Sequence, residues 1–248
     1  MTRPRILDLF CCAGGAGKGY HDAGFDVYGV DIRVQPRYPF AAYYGDAIEV
    51  LSALLRGEKI AFRHRDGRVE YLGLSDFAAI HASPPCQGYT AMRHAPGAKG
   101  APRLIGQVRT MLEASGLPWV IENVEEARSE MREPIMLCGS AFGLQSHGCE
   151  LRRHRLFESN IALASPGCQH GTLPVVGVYG GHARIRSARH GGRTTRDAWP
   201  NGHKPVAAEA MGMDWATLAE MSEAIPPAYT RHIGLQLIAH LQSQRLAA

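Results

Sequence analysis

The chain has 248 residues, 45% of them apolar and 20% charged, with 27 Lys and Arg against 23 Asp and Glu for a formal net charge of +4. That mixture excludes a collagen-like, coiled-coil or broadly disordered chain, and the length suffices to bury a core without disulfide staples. No apolar run reaches the roughly 18 residues of a membrane span and no export pattern opens the chain, so the expectation is a cytoplasmic monomer with reduced cysteines and no membrane partner.

Residues 5–10 read as a buried strand running into Cys12-Ala13-Gly14-Gly15-Ala16-Gly17-Lys18-Gly19. A helix-like stretch follows to residue 24, and residues 26–31 read as a second strand ending on Asp31. Strand, Gly-rich turn, helix and strand in that order open a parallel α/β sheet. Residues 47–55 have a helical pattern. Residues 60–65 and 68–72 flank Asp66-Gly67, a two-residue hairpin signal, and this hairpin is expected to project from the sheet. The alternation resumes with a strand at 77–82, a loop at 83–103, a helix at 104–115 and a strand at 119–122. Short strands are expected at 135–138 and 155–157. From 159 to 205, Gly, Arg and His are frequent and apolar periodicity is weak, so this segment reads as a small irregular appendage rather than as sheet. Helices are expected at 206–221 and, past the Pro226-Pro227 break, at 228–245. The expected fold is α/β, a doubly wound and mostly parallel sheet built from residues 1–158 and 206–248, with residues 159–205 appended.

The mild net charge hides a local one. Arg184, Arg186, Arg189, Arg193, Arg196 and Lys204 stand against the single acid Asp197, with His182, His190 and His203 in the same stretch. A local positive field of this kind suits a polyanion, although a solvated basic loop is the plain alternative.

Three chemistries could use the Gly-rich turn. A triphosphate loop needs Gly-x-x-x-x-Gly-Lys-Ser/Thr, but Cys12 replaces the first Gly and Gly19 replaces the hydroxyl that would hold magnesium. A dinucleotide turn needs a third Gly where Tyr20 stands. An adenosyl cofactor without phosphates needs close backbone approach at Gly14 and Gly15, and an acid such as Asp31 to accept from ribose hydroxyls. A plain tight turn with a solvated acid stays open beside it.

Further along, Ala82-Ser83-Pro84-Pro85-Cys86-Gln87-Gly88 follows a central strand, where sheet ligands bind. A rigid Pro-Pro approach and a small neighbour make Cys86 a nucleophile candidate rather than an inert buried thiol. Trp119-Val120-Ile121-Glu122-Asn123-Val124 ends a strand on an acid and an amide, and Arg153 and Arg155 alternate on one strand face. His147 with Cys149, and Cys168 with His170, offer donors suited to zinc, but their spacing is not that of a standard finger and no metal is assigned.

These elements together resemble the DNA cytosine carbon-5 methyltransferase family. Its first motif, Asp-Leu-Phe-x-Gly-x-Gly-Gly, matches Asp8-Leu9-Phe10-Cys11-Cys12-Ala13-Gly14-Gly15 with Cys12 in a Gly position. Pro-Cys-Gln matches Pro85-Cys86-Gln87, and Glu-Asn-Val matches Glu122-Asn123-Val124. Gln-x-Arg-x-Arg matches at Arg153 and Arg155 with Leu151 in place of Gln, and Gly-Asn-x-Val-Pro-Pro aligns with Ser222-Glu223-Ala224-Ile225-Pro226-Pro227.

The resemblance implies a Rossmann-like methyltransferase fold with a target-recognition segment at 159–205. It implies S-adenosylmethionine held by Asp8, Phe10, Gly14, Gly15, Asp31, Asp46, Pro84 and Glu223. It assigns Cys86 as the nucleophile on carbon 6 of a flipped cytosine, Glu122 to ring nitrogen 3, and Arg155 with Arg153 to the carbonyl oxygen. The partner implied is double-stranded DNA, contacted by Gln87, Arg93, Arg184, Arg186, Arg189, Arg193 and Arg196. A relative acting on RNA and a catalytically silent DNA-binding module are the alternatives.

Overall fold

The computed structural model describes residues 3–89, 101–186, 195–196, 199 and 201–247. Apolar runs form its central strands: β1 (Arg5–Leu9) buries Ile6, Leu7 and Leu9 on both faces, the pattern of a strand covered by helices on either side. The Gly-rich turn leads to α1 (Gly15–Ala23), then β2 (Asp26–Asp31), β3 (Ala41–Tyr44) and α2 (Ala47–Leu55). A hairpin of β4 (Ile60–Arg63) and β5 (Val69–Leu72) precedes β6 (Ala79–Ala82), α3 (Ile105–Ser115) and β7 (Trp119–Asn123). Short β8 (Ile135–Leu137), β9 (Gln145–Ser146) and β10 (Cys149–Glu150) lead to β11 (Arg155–Ser159). Last come β12 (Val175–Tyr179), β13 (His182–Arg186), β14 (Thr195–Arg196), α4 (His203–Met211), α5 (Leu218–Glu223) and α6 (Pro227–Ala247).

The main sheet has the order β5-β4-β3-β2-β1-β6-β7-β11-β8, with β3, β2, β1, β6 and β7 mutually parallel. The chain moves outward from β1 through β2 and β3, then returns to place β6 on the other side of β1. That reversal creates a crevice at the carboxyl ends of β1 and β6, where open α/β sheets bind ligands.

Three expectations are corrected. The Asp66-Gly67 hairpin does not project; β4 pairs antiparallel with β3 and widens the sheet. Phe62 draws it in by packing edge-on against Tyr28 and Phe77. The edge it joins, β3, is a four-residue strand without alternation and was not foreseen. Residues 159–205 are not irregular throughout either. They supply β12, β13 and β14 to a second sheet of order β14-β13-β12-β10-β9. That sheet recruits β9 and β10 from before residue 159, and α4 and α5 pack on it through Val176, Val178, Val206, Met211 and Met221. The helix expected at 206–221 is broken after Met211, where Gly212 has a φ of +67° and caps α4.

The last helix returns across α1 and closes the back of the crevice. A Cβ on Gly19 would lie 2.1 Å from both the Pro227 carbonyl oxygen and Thr230 Oγ1. Thr230 Oγ1 itself donates to the Ala16 carbonyl at 2.8 Å. Gly19→Ala is therefore expected to force α1 from α6 and lower stability by about 1–3 kcal/mol, an overpacking cost. A thermal midpoint equal to that of the unaltered chain would remove this account of the contact. Among the described residues no helix is long and apolar enough to cross a membrane, and all six cysteines are free.

Candidate active site

The turn after β1 is tightly constrained. Phe10 and Cys12 hold φ values of +60° and +45°, and Gly14, at +83°, precedes α1. A non-Gly residue in this region is strained, which gives a reason why the resembled motif carries Gly where Cys12 stands. A Cβ on Gly15 would meet the Ile225 carbonyl oxygen at 2.3 Å, so the start of α1 lies directly on the α5–α6 connection. The Cys11 N–H donates to the Val30 carbonyl at 3.0 Å and Trp215 Nε1 donates to the Ala13 carbonyl at 2.9 Å. Asp31 ends β2 buried; its Oδ2 accepts from the Cys12 N–H and its Oδ1 from the Arg33 N–H, each at 2.9 Å. Each carboxylate oxygen keeps capacity for a further donor.

Across the crevice, β6 ends in the Ser83–Gln87 loop and β7 ends on Glu122 and Asn123. Asn123 Nδ2 donates to the Pro84 carbonyl at 2.9 Å while its Oδ1 accepts from the Val124 N–H at 3.0 Å, which ties the Cys86 loop to β7. Glu122 is 5% exposed and pairs with Arg155 Nε at 3.1 Å. Burial pushes the Glu122 carboxyl up, against the opposing pull of Arg155, the Ser83 hydroxyl and Arg153. The half-buried Cys86 thiol is also pushed up, first by burial and then by Glu122, with Arg155 and Arg153 pulling it down. The arginine field thus has the sign that favours a thiolate, but burial outweighs it in the free pocket.

One cavity brings these two halves together. Phe10, Gly15, Asp31 and Glu223 line it with Pro84, Cys86, Gln87, Glu122 and Arg155. Gly14, expected beside the cofactor, is not among the lining residues; a Cβ there would meet the Pro39 and Tyr38 side chains at 2.9 Å. A more open groove, lined by Arg5, Asp26, His64 and Glu70, sits at the amino ends of β1 and β2, away from the side where strand-end chemistry collects.

Three further expected roles change. Asp8 does not line the cavity; it lies beneath the turn, 1% exposed, with its Oδ2 accepting from Tyr38 OH at 3.2 Å, and burial raises its carboxyl to about 7. Its place on β1 points it under α1, where it meets the backbone of Gly17. Asp46 also lies off the cavity, because its Oδ1 caps α2 by accepting from the Ile48 and Glu49 N–H groups at 2.7 and 3.2 Å. Arg153 does not face the cavity beside Arg155. Its guanidinium, 2% exposed, donates to the carbonyls of Ala224, Val178 and Ser222 at 3.0, 2.7 and 2.7 Å. Arg153 therefore joins the second sheet to the α5–α6 connection and supports the cavity from behind instead of lining it.

Arg184 and Arg186 lie two apart on β13, opposite Gly177 and Val175 of β12, and Arg196 on β14 lies opposite Ile185. Arg93, Arg189 and Arg193 fall outside the described residues. The zinc-suited pairs separate: Cys149 is buried with its thiol on the His147 carbonyl, and the His147 ring packs edge-on against Trp199.

Sequence reasoning missed a buried chain behind Glu122. Tyr20 OH lies 3.0 Å from His81 Nδ1, His81 Nε2 lies 2.8 Å from Ser83 Oγ, and Ser83 bonds Glu122. Burial lowers His81 to about 3, so its ring is neutral and passes one hydrogen bond along while receiving another. Only the two-residue spacing of His81, on β6, and Ser83, just past its end, could have hinted at it.

No protein-family model and no curated protein matches the chain. Solved structures do. A chain named as a DNA modification methyltransferase encoded within a prophage (E. coli) is 15% identical, with a TM-score of 0.52 over 97% of this chain and 99% of that one. S. pombe Dnmt2 methyltransferase is 13% identical with a TM-score of 0.46 over 96% and 99%, and the Entamoeba histolytica methyltransferase EhMeth 11% with 0.48 over 97% and 99%. Identity this low speaks to architecture, and the first of these likenesses carries it: the chain shares the Rossmann-like α/β fold of that structure.

Proposed function

We propose that this protein transfers a methyl group from S-adenosylmethionine to carbon 5 of a cytosine in DNA. The observation that carries the reading is the convergence, in one cavity, of the Cys86 loop, the buried Glu122–Arg155 pair and the Gly15–Asp31 turn. The turn side suits an adenosyl group. Asp31 offers acceptors for ribose hydroxyls, Ile32, 70% exposed, offers a free apolar surface for a purine, and Glu223 places negative charge near a cationic sulfonium. When bound, the cofactor supplies an electrophilic methyl on a positively charged sulfur.

Carbon 5 of cytosine is a poor nucleophile until the ring loses its aromaticity. The Cys86 sulfur bonds to carbon 6, and the electron pair displaced from the carbon 5–carbon 6 bond leaves carbon 5 enamine-like. Glu122 holds a proton at ring nitrogen 3, a task its raised carboxyl pKa favours, and Arg155 hydrogen-bonds the carbonyl oxygen. Once carbon 5 carries the methyl group, loss of its proton and departure of the Cys86 sulfur restore the aromatic ring. A stacked base presents none of these atoms, so the target must leave the helix at a cost of a few kcal/mol. Positions 184, 186 and 196, on β13 and β14, are arginine, a residue type that makes phosphate contacts able to offset it.

Bisulfite sequencing of DNA from cells expressing the protein, beside methyl incorporation into duplex DNA and transfer RNA in vitro, tests the reading. Labelled duplex with protected cytosines supports it; methylation confined to RNA transfers the same chemistry to the other polymer. Glu223 bears on the cofactor half. It lines the cavity and lies 3.7 Å from Arg33 as an exposed ion pair. Glu223→Gln is expected to weaken S-adenosylmethionine binding several-fold by calorimetry, and an unchanged Kd would dismiss the charge argument.

A further inference from the structure

Away from the cavity, four side chains from three segments converge. Cys138 follows β8, His154 lies between Arg153 and Arg155, and Cys168 and His170 belong to the strap joining β11 to β12. Their donor atoms all lie within 4.8 Å of one another. Cys138 Sγ is 3.3 Å from His170 Nε2, Cys168 Sγ is 3.5 Å from His154 Nε2, and the two Nε2 atoms are 3.3 Å apart. For ordinary zinc–sulfur and zinc–nitrogen bonds, a regular tetrahedron has nitrogen–nitrogen edges of about 3.3 Å and sulfur–nitrogen edges of about 3.5 Å.

We infer that Cys138, His154, Cys168 and His170 form a structural zinc site.

A carboxylate behind one ligand supports this. Glu125 Oε2 lies 3.1 Å from His154 Nδ1, so that nitrogen carries the proton and Nε2 presents a lone pair to the cluster, as metal-binding imidazoles do. Two facing imidazole nitrogens and two sulfurs hold acceptors that one divalent cation satisfies together. Two thiolates also balance its charge, and four protein ligands complete a closed structural centre. The site has work to do in the fold. Residues 160–174 form a long connection without helix or strand, tied at its start by Asn160 and by Ile161 and Leu163 on the core. Farther along it is tied by single hydrogen bonds such as Ser165 Oγ to the Met136 carbonyl and the Gln169 N–H to Ser140 Oγ. A metal joining Cys168 and His170 to Cys138 and His154 anchors that strap. It also fixes the segment from which Arg155 reaches Glu122. The paired motifs visible in the sequence misled because the ligands come from distant segments: Cys168 and His170 take part, whereas His147 and Cys149 do not.

The test is metal analysis of the full-length protein purified without chelator, followed by zinc titration of the metal-free chain against a competing chromophoric chelator. One equivalent of tightly held zinc is expected. Cobalt in its place should give the intense visible absorption of a tetrahedral ion together with thiolate charge-transfer bands. Cys168→Ser and His170→Gln, both on the exposed strap, should fold by circular dichroism yet bind zinc at least about 100-fold more weakly, while Glu125→Gln loses about 10-fold or more. His147→Gln should match the unaltered protein. Absence of zinc at both stages, a Cys138–Cys168 disulfide in the metal-free purified chain, or unchanged affinity in both strap variants overturns the assignment. Zinc binding is read without methyl transfer, so this inference and the proposed activity fail independently.

Discussion

Replacement of Cys86 by serine is expected to abolish methyl transfer, a loss on the order of 10⁶-fold, the scale at which an enzyme loses its attacking nucleophile. A hydroxyl is far less ionised than a thiol and a poorer leaving group, so both formation and collapse of the carbon 6 bond suffer. The decisive measurement uses duplex DNA carrying 5-fluorocytosine with S-adenosylmethionine. Fluorine cannot leave as a proton does, so the unaltered chain should accumulate a covalent complex that survives denaturing electrophoresis, and Cys86→Ser should form none. An adduct of equal yield in the variant would place the chemistry on another residue. Cys86 lies in the crevice with Glu122 and Arg155, whereas Cys149 is buried in the second sheet's core and Cys168 lies on the strap. Among the cysteines of the cavity, Cys11 and Cys12 belong to the turn, and burial raises both thiols.

Glu122→Gln should move two observables in opposite directions. Methyl transfer should fall about 10²–10⁴-fold, because an amide cannot hold the proton at ring nitrogen 3. Thiol reactivity of the free enzyme should rise. The Glu122 charge pushes the Cys86 thiol up, and its removal also frees Arg155 to pull the thiol down. The sign is set by pH: the effect appears where the Glu122 carboxyl is ionised, above its raised pKa, and vanishes where it is protonated. Alkylation of Cys86 by iodoacetamide, followed across pH by mass spectrometry, reads it directly. Circular dichroism must match that of the unaltered chain, because unfolding would itself expose Cys86, lift the burial that raises its thiol and speed alkylation. A folded variant that keeps methyl transfer removes Glu122 from the reaction. The reaction needs the Cys86 thiolate and the protonated Glu122 carboxyl together, a minor form of the free protein because the thiol, itself pushed up, ionises above the carboxyl. The pH profile should therefore be bell-shaped, its rising limb reporting Glu122 and its falling limb Cys86.

The Glu122–Arg155 pair is also the place where removing one partner costs more than removing both. Glu122 is buried to 5% and Arg155 to 8% exposure, so an isolated charge there lacks both water and a counter-ion. The chain through Ser83, His81 and Tyr20 gives the acid a second, neutral support that leaves its proton exchangeable. Arg153 serves the same geometry from outside. Its three carbonyl acceptors hold Val178 of the second sheet, Ser222 of α5 and Ala224 at a common point behind the site.

Much of this was legible in the chain itself. The α/β alternation, the hairpin signal at Asp66-Gly67 and the helix at Ala47–Leu55 are local, because periodicity and turn chemistry act over a few residues. Cys86, Glu122 and Asp31 stood out as strand-end or loop residues, and the fold gathers them because parallel strands bring their carboxyl ends to one edge. Arg155, at the start of antiparallel β11, and Glu223, at the end of α5, stood out by alternation and by the resemblance and reach the same cavity from other elements. The tertiary structure decided what depends on partners distant in sequence. It put the hairpin on β3, and it assembled the second sheet from β9, β10 and the strands after residue 159. It also turned Arg153 inward to three carbonyls and drew Asp8 beneath the turn and Asp46 to a helix cap. It matched Cys138 with His170 across 32 residues. Alternation in sequence tells which residues share a face of a strand, but only the packed chain determines which neighbour that face meets.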